Sequence, residues 1–230
     1  MCRRLEAKAP LRHRVMFLPN WTDLTSMRSQ APSQAYRAAW SIPDGMLIVL
    51  YSGSLGRKQG VEVLLEAFAL LPEHLPLYLV IAGEGPERVR LEEYAKSLLL
   101  AKRLRFISFA PQERLAEFLN TGDIHCIPQR LAAADLVLPS KLTNILGVGR
   151  PVVVTTPETS ELARTIHAAS CGLVVEPENP TALAAALKKL CTDASLRNTM
   201  GMAGRRYAER HLEINAVLSH LRTKLASMVS

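Results

Sequence analysis

Aromatic residues are scarce in this sequence, at 5% of 230 positions. A basic chain that reads RNA or DNA carries stacking aromatics or a recognisable motif beside its charge, so this scarcity excludes nucleic acid as the expected partner. Long apolar runs are missing too: none approaches the roughly 20 residues needed to cross a bilayer. The opening Met1-Cys2-Arg3-Arg4-Leu5-Glu6-Ala7-Lys8 has no apolar stretch of the secretion-signal kind. The four cysteines (Cys2, Cys126, Cys171 and Cys191) are scattered, with no C-x-x-C pair. That spacing argues against structural zinc or a disulfide framework and suits a cytoplasmic protein, with Cys126 buried and reduced in an apolar run. Internal repeats, low-complexity tracts and heptads are absent. So are G-x-G-x-x-G, G-x-x-x-x-G-K-[ST], H-E-x-x-H, G-x-S-x-G and Asp-x-Asp, which disfavours a nicotinamide enzyme, a P-loop NTPase, a zinc protease, an acyl-transfer nucleophile and a metal site.

What is present is an ordinary globular composition, 48% hydrophobic and 21% charged, in a length that suits one large domain with appendages. The net charge of +7 is unevenly placed. Within residues 1–41, Arg3, Arg4, Lys8, Arg12, Arg14, Arg28 and Arg37 face only Glu6 and Asp23. Residues 1–16 read as a solvated basic helix; the functional alternative is peripheral contact with an anionic membrane face.

From residue 46 onward, short continuous apolar runs alternate with helix-period segments. Strands are expected at 46–51, 77–82, 104–108, 123–127, 151–155 and 172–175, because such runs mark strands buried on both faces. Helices are expected at 61–71, 86–100, 112–120, from Ser140, 160–169, 180–190, 194–210 and 213–228. Six strands alternating with helices predict an α/β fold, a Rossmann-like parallel sheet with helices on both faces. Ligands of such sheets bind at the carboxyl ends of the strands. That directs attention to the loops at 52–60, 83–86, 108–111, 128–140 and 155–161.

Three of these loops carry candidate chemistry. Ser52-Gly53-Ser54-Leu55-Gly56-Arg57-Lys58-Gln59-Gly60 follows the first strand, with glycines that permit close backbone approach and two cations. Gly83-Glu84-Gly85-Pro86 follows the second strand and reads equally as a structural turn. Pro139-Ser140-Lys141-Leu142-Thr143-Asn144 is the strongest signal. Ser140 is expected to cap a helix, Lys141 to add positive charge, and Asn144 to lie one turn on, on the same face. Free N–H groups, a hydroxyl and an ammonium together suit a diphosphate, with a ribose beside Asn144. His125, inside a strand, reads as a core residue rather than a base.

Taken in order, these stretches resemble the C-terminal half of GT-B-fold, family 4-type retaining glycosyltransferases, similar to the bacterial colanic-acid and exopolysaccharide enzymes. The similarity runs through Phe17-Leu18-Pro19-Asn20-Trp21-Thr22-Asp23, the 51–60 loop, Ile81-Ala82-Gly83-Glu84-Gly85-Pro86, the 138–146 stretch, Gly149-Arg150-Pro151-Val152-Val153, and the tail Gly204-Arg205-Arg206-Tyr207-Ala208-Glu209-Arg210-His211-Leu212.

The resemblance implies a donor-binding half for a nucleotide-diphosphate sugar of UDP or GDP type, with no other cofactor and no metal. It implies that Lys58 and Lys141 act on the diphosphate. Gly53, Ser54, Gly56, Arg57, Gly83, Gly85, Pro139, Ser140 and Asn144 would approach the donor, and backbone at Ile107 and Ser108 would meet the base. It further implies that residues 1–22 are a remnant helix and linker, that 23–212 form the nucleotide-sugar domain, and that 213–230 cross towards an N-terminal domain that binds a glycan or lipid-linked acceptor. Relatives often carry two glutamates eight positions apart; here those positions hold Leu136 and Asn144. The competing readings are a nucleotide-sugar epimerase of related fold and a non-catalytic nucleotide-binding module left by truncation.

Overall fold

The computed structural model describes residues 18, 20–133 and 139–229. The proposed basic helix at 1–16 and the position of Leu136 lie outside the described residues. Six strands form one sheet: β1 (Leu47–Ser52), β2 (Leu77–Ala82), β3 (Leu104–Ile107), β4 (Ile124–Ile127), β5 (Val152–Thr155) and β6 (Gly172–Val175). Their order is β3-β2-β1-β4-β5-β6, and every pairing is parallel.

The helices are α1 (Gln34–Ala39), α2 (Val61–Ala69), α3 (Arg88–Ser97), α4 (Leu115–Thr121), α5 (Lys141–Gly147), α6 (Glu161–Ala169), α7 (Pro180–Thr192), α8 (Ala194–His211) and α9 (Ile214–Val229). Both faces of the sheet are covered. Val49 and Tyr51 of β1, with Leu77, Leu79 and Ile81 of β2, pack under α2, α3 and α7. The alternate residues Ile48, Leu50, Tyr78 and Val80 pack under Trp40, Phe118 and Leu119. The two-residue period of a strand thus feeds two cores, which is why the central strands read as unbroken apolar runs. Ile127, Val152 and Val154 complete the second face against α5, α6 and α8.

Local sequence sets the helix starts. Ser160 accepts a hydrogen bond from the Ala163 N–H at 3.0 Å, Asn179 from Ala182 at 2.9 Å, and Asp193 from Leu196 at 2.8 Å. Each satisfies an N–H that the first turn leaves without an intrahelical partner. Pro180 occupies the first turn of α7.

The 204–212 tail has a structural use. Gly204 packs on Leu146 and Cys171, and Arg205 donates to the carbonyls of Met27 and Gly147. Thr22 runs beside the start of α9: its N–H donates to the Leu212 carbonyl at 2.8 Å, and its carbonyl accepts from Ile214 at 3.2 Å. Among the described residues, no helix is long and apolar enough to cross a membrane.

Candidate functional site

The chain leaves β1 towards β2 and β3 on one side, and β4 continues to β5 and β6 on the other. The carboxyl ends of β1 and β4 therefore flank the point where the sheet order reverses, where doubly wound sheets leave a crevice. A cleft of about 740 Å³ opens there. Ser52, Gly53 and Ser54 line it from β1, and Ile127, Pro128 and Gln129 line it from β4. Lys58 and Gln59 enter from the turn before α2, and Pro139, Ser140, Lys141, Thr143 and Asn144 from the start of α5. Among its described lining residues, two are lysines and none is an aspartate, glutamate or histidine. The site is therefore electropositive and suited to an anion.

Lys141 is the first residue of α5, and its Nζ lies 4.4 Å from the centroid of the Tyr51 ring. Tyr51 is fully buried, and its hydroxyl donates to the Ser54 carbonyl at 2.6 Å. The ring face attracts the cation, but it replaces water only in part. Burial pulls the Lys141 amine down to about 8, opposed weakly by the neighbouring Cys126. No ion pair holds Lys141 among the described residues.

Gly53 makes this position accessible. A Cβ there would stand 2.5 Å from Lys141 Nζ and 3.1 Å from Tyr51 Oη. A second close approach lies beneath it, where a Cβ on Gly83 would fall 1.9 Å from the Gly53 carbonyl oxygen and one on Gly85 2.3 Å from the Leu55 carbonyl oxygen. The glycines of the two loops let their backbones lie against each other, joined by Leu55 N–H donating to Glu84 at 2.8 Å and Glu87 N–H donating to Leu55 at 3.0 Å.

The expected site residues divide into two groups. Gly53, Ser54, Lys58, Pro139, Ser140, Lys141 and Asn144 converge on the cleft. Gly56, Arg57, Gly83, Gly85, Ile107 and Ser108 lie outside its lining. Gly83 and Gly85 serve the backbone packing just described. The exposed Arg57 side chain pairs with Glu87 at 3.3 Å, and Ser108 donates to Glu84 at 2.8 Å. The Ile107 carbonyl accepts from the Gly83 N–H at 3.0 Å.

One expectation needs correction in detail. Ser140 does not cap α5: its backbone is helical (φ −59°, ψ −28°) and its side chain accepts no cap hydrogen bond. A cap needs extended backbone to turn its oxygen back on the first turn. Here that turn is closed by Leu142 N–H donating to the Pro139 carbonyl at 3.1 Å, which leaves the Ser140 hydroxyl exposed at the cleft. The Asn144 side-chain carbonyl accepts from Thr22 Oγ1 at 2.8 Å, which fixes the amide at the cleft edge.

His125 is a core residue. It is fully buried, its Nε2 pairs with the Leu119 carbonyl at 3.0 Å, and burial drives it down to about 3. Glu158 is on the surface, paired with His167 at 2.8 Å. A nucleotide-sugar epimerase needs positioned acid–base groups, and neither His125 nor Glu158 lines the cleft.

Sequence reasoning missed Phe109, which is 52% exposed and lines the cleft after β3, and it read Trp21 only as linker. It also missed Gln129, whose Oε1 is buried without a hydrogen-bond partner in the same cleft. A half-exposed aromatic one residue after the expected base-contacting pair was a usable signal. Gln129 offered none, since its place depends on how β4 ends.

Comparison with known proteins adds three findings. The family model described as glycosyl transferases group 1 matches residues 32–207. The chain is 37% identical, over 89% of its length and 49% of the relative's, to the putative colanic acid biosynthesis glycosyl transferase WcaI of Escherichia coli K12. Among solved structures it superposes on sucrose-phosphate synthase from Thermosynechococcus elongatus with a TM-score of 0.78 at 24% identity, covering 97% of this chain and 57% of that one. It also superposes on Anabaena HepE in complex with UDP-glucose, with a TM-score of 0.78 at 16% identity, covering 91% and 57%. The chain spans about half the length of the curated relatives it matches.

Proposed function

Because the chain belongs to the glycosyl transferases group 1 family, we propose that its cleft binds a nucleotide-diphosphate sugar of UDP or GDP type and serves retaining transfer of a hexosyl group in surface-polysaccharide assembly. The observation that carries this reading is the pair Lys58 and Lys141, which converge, with no carboxylate among the described lining residues, on a cleft at the sheet's reversal point. HepE, a fold neighbour, holds UDP-glucose in its crystal structure.

In this reading the diphosphate lies against Lys141, Lys58, the Ser140 hydroxyl and the backbone at Gly53. The base lies towards Phe109 and Ala110. When the bond from the anomeric carbon to the phosphate oxygen breaks, negative charge grows on the departing nucleoside diphosphate. Ammonium groups already fixed in place stabilise that charge without reorganising, which is the largest contribution in many enzymes. Lys141 is held between the Tyr51 ring and the Gly53 backbone and suits this role. Lys58, on an exposed turn, supplies a second and more adaptable charge. Transfer without a metal follows from the same division of labour. The acceptor, glycan or lipid-linked, would be held by a preceding domain, with α9 and the 20–22 segment leading towards it, and the complex would work at the inner membrane face in the cytoplasm.

A crystal soaked in UDP-glucose tests the reading. Diphosphate density within hydrogen-bond reach of Lys141 Nζ is expected. An empty cleft, or a ligand elsewhere, would overturn it.

A further inference from the structure

Lys141 has a second chemical property that anion binding alone does not use. Its amine is half-buried, without an ion pair among the described residues, seated on the face of a neutral ring and open to a cleft large enough for a small molecule. Lysines of ordinary proteins sit in water or against a carboxylate, and both hold the proton. The described groups around Lys141 hold it less firmly, because the Tyr51 ring attracts the ammonium but replaces water only in part. From β1 comes the Tyr51 ring, whose phenol is raised by burial. From β4 comes the Cys126 thiol, pushed up to about 12 and so neutral near pH 7, while His125 turns to the other face of the sheet against Leu119.

We infer that the Lys141 ε-amine is an acylation site for small acyl phosphates, and that acylation there switches off anion binding in the cleft. The class of reagent follows from the two halves of the site. An electropositive cleft concentrates the phosphate, which rests on the anion-binding reading above, and the Lys141 amine beside it attacks the adjoining carbonyl. The balance is simple. The nitrogen lone pair forms an amide bond to the carbonyl carbon, the carbon–oxygen bond to phosphate breaks, inorganic phosphate leaves, and the amine's proton passes to it or to water. The product is a neutral amide carrying added bulk against Gly53, where even one more carbon is crowded.

With its proton held only to about 8, about a quarter of the Lys141 amine is free at pH 7.5, against about one part in a thousand for an ordinary lysine. A less basic amine is a weaker nucleophile, so part of that advantage is lost, and a net preference on the order of tenfold remains.

The test incubates the full chain with acetyl phosphate and follows acetylation of each lysine by peptide mass spectrometry between pH 7 and 10. A neutral acetyl ester and a calorimetric UDP titration run alongside. Lys141 should acetylate on the order of tenfold faster than the exposed Lys96 and Lys189 and faster than the exposed cleft residue Lys58. Its rate should level off above about pH 8, and UDP should protect it. Labelling no faster than Lys96, or preference for Lys141 with the neutral ester alone, overturns the inference. If UDP binds while Lys141 shows no preference, only this inference fails. If acetyl phosphate prefers Lys141 while UDP neither binds nor protects, the inference stands and the donor-binding reading fails.

Discussion

Lys141 is where charge, burial and access meet, and two predictions belong to it. Lys141→Ala removes a charge-assisted contact worth about 1.5–3 kcal/mol, so UDP affinity should fall roughly 10- to 150-fold by calorimetry. The pH dependence has two opposite signs. Anion binding needs the ammonium, and the free protein holds it only to about 8, so nucleotide affinity should decline as pH rises through that value. Stability runs the other way. The unfolded chain keeps this proton up to the ordinary 10.5 while the folded chain has released it, so between about 8 and 10.5 the Lys141 contribution to stability rises with pH. Chemical denaturation of wild type and Lys141→Met across that window should show the rise in the first and not in the second. Gly83 offers a contrasting residue-scale case. A methyl at this position meets the backbone oxygen of Gly53 at 1.9 Å, and no side chain is there to move aside. Gly83→Ala should cost about 1–3 kcal/mol, read as a lowered melting temperature.

At the scale of elements, the helices depend on caps that the site does not use. Ser160 receives the Ala163 N–H and the Thr156 hydroxyl, the latter at 2.9 Å and buried. Ser160→Ala should cost about 1 kcal/mol, up to about 2, and leave UDP affinity unchanged. Loss of nucleotide binding in that variant would mean that α6 bears on the cleft.

The strands were legible in the sequence because each is buried on both faces, and the helices between them because their apolar stripes face the sheet. The short helix α1 was not. None of its residues is buried; it is held from outside by the Ser33 cap and by Tyr36 and Trp40, whose rings lie 5.8 and 5.6 Å from Phe118. Such a helix has no stripe to read. The candidate site was half legible. Residues whose chemistry suits an anion (Lys58, Ser140, Lys141) stood out by type and place. The glycines did not reveal whether they approach a ligand or another loop, since both uses need the same missing Cβ. The Thr22 bond to Asn144 spans 122 residues and has no local signature.

For the molecule as a whole, the described chain is one Rossmann-like sheet with its helices, spanning about half the length of the curated relatives it matches. The segment at 20–22 and the start of α9 run side by side, where Thr22 is hydrogen-bonded between Leu212 and Ile214. The Thr22 hydroxyl also donates to Asn144 in the cleft, so one hydrogen bond ties this segment to the site. This predicts binding without efficient turnover. The isolated chain should bind nucleotide yet transfer sugar poorly until an acceptor domain of the relatives' kind is supplied, measured as radiolabelled sugar transferred per mole of chain. Efficient transfer by the chain alone would contradict that division.

The most direct test of the central claim is a calorimetric titration of UDP, GDP and ADP into the wild-type chain and Lys141→Ala, at low salt and pH 7. The account predicts saturable binding of at least one nucleoside diphosphate to wild type, weakened 10-fold or more in the variant. Equal affinities in the two proteins, or no binding of any of the three, would contradict it.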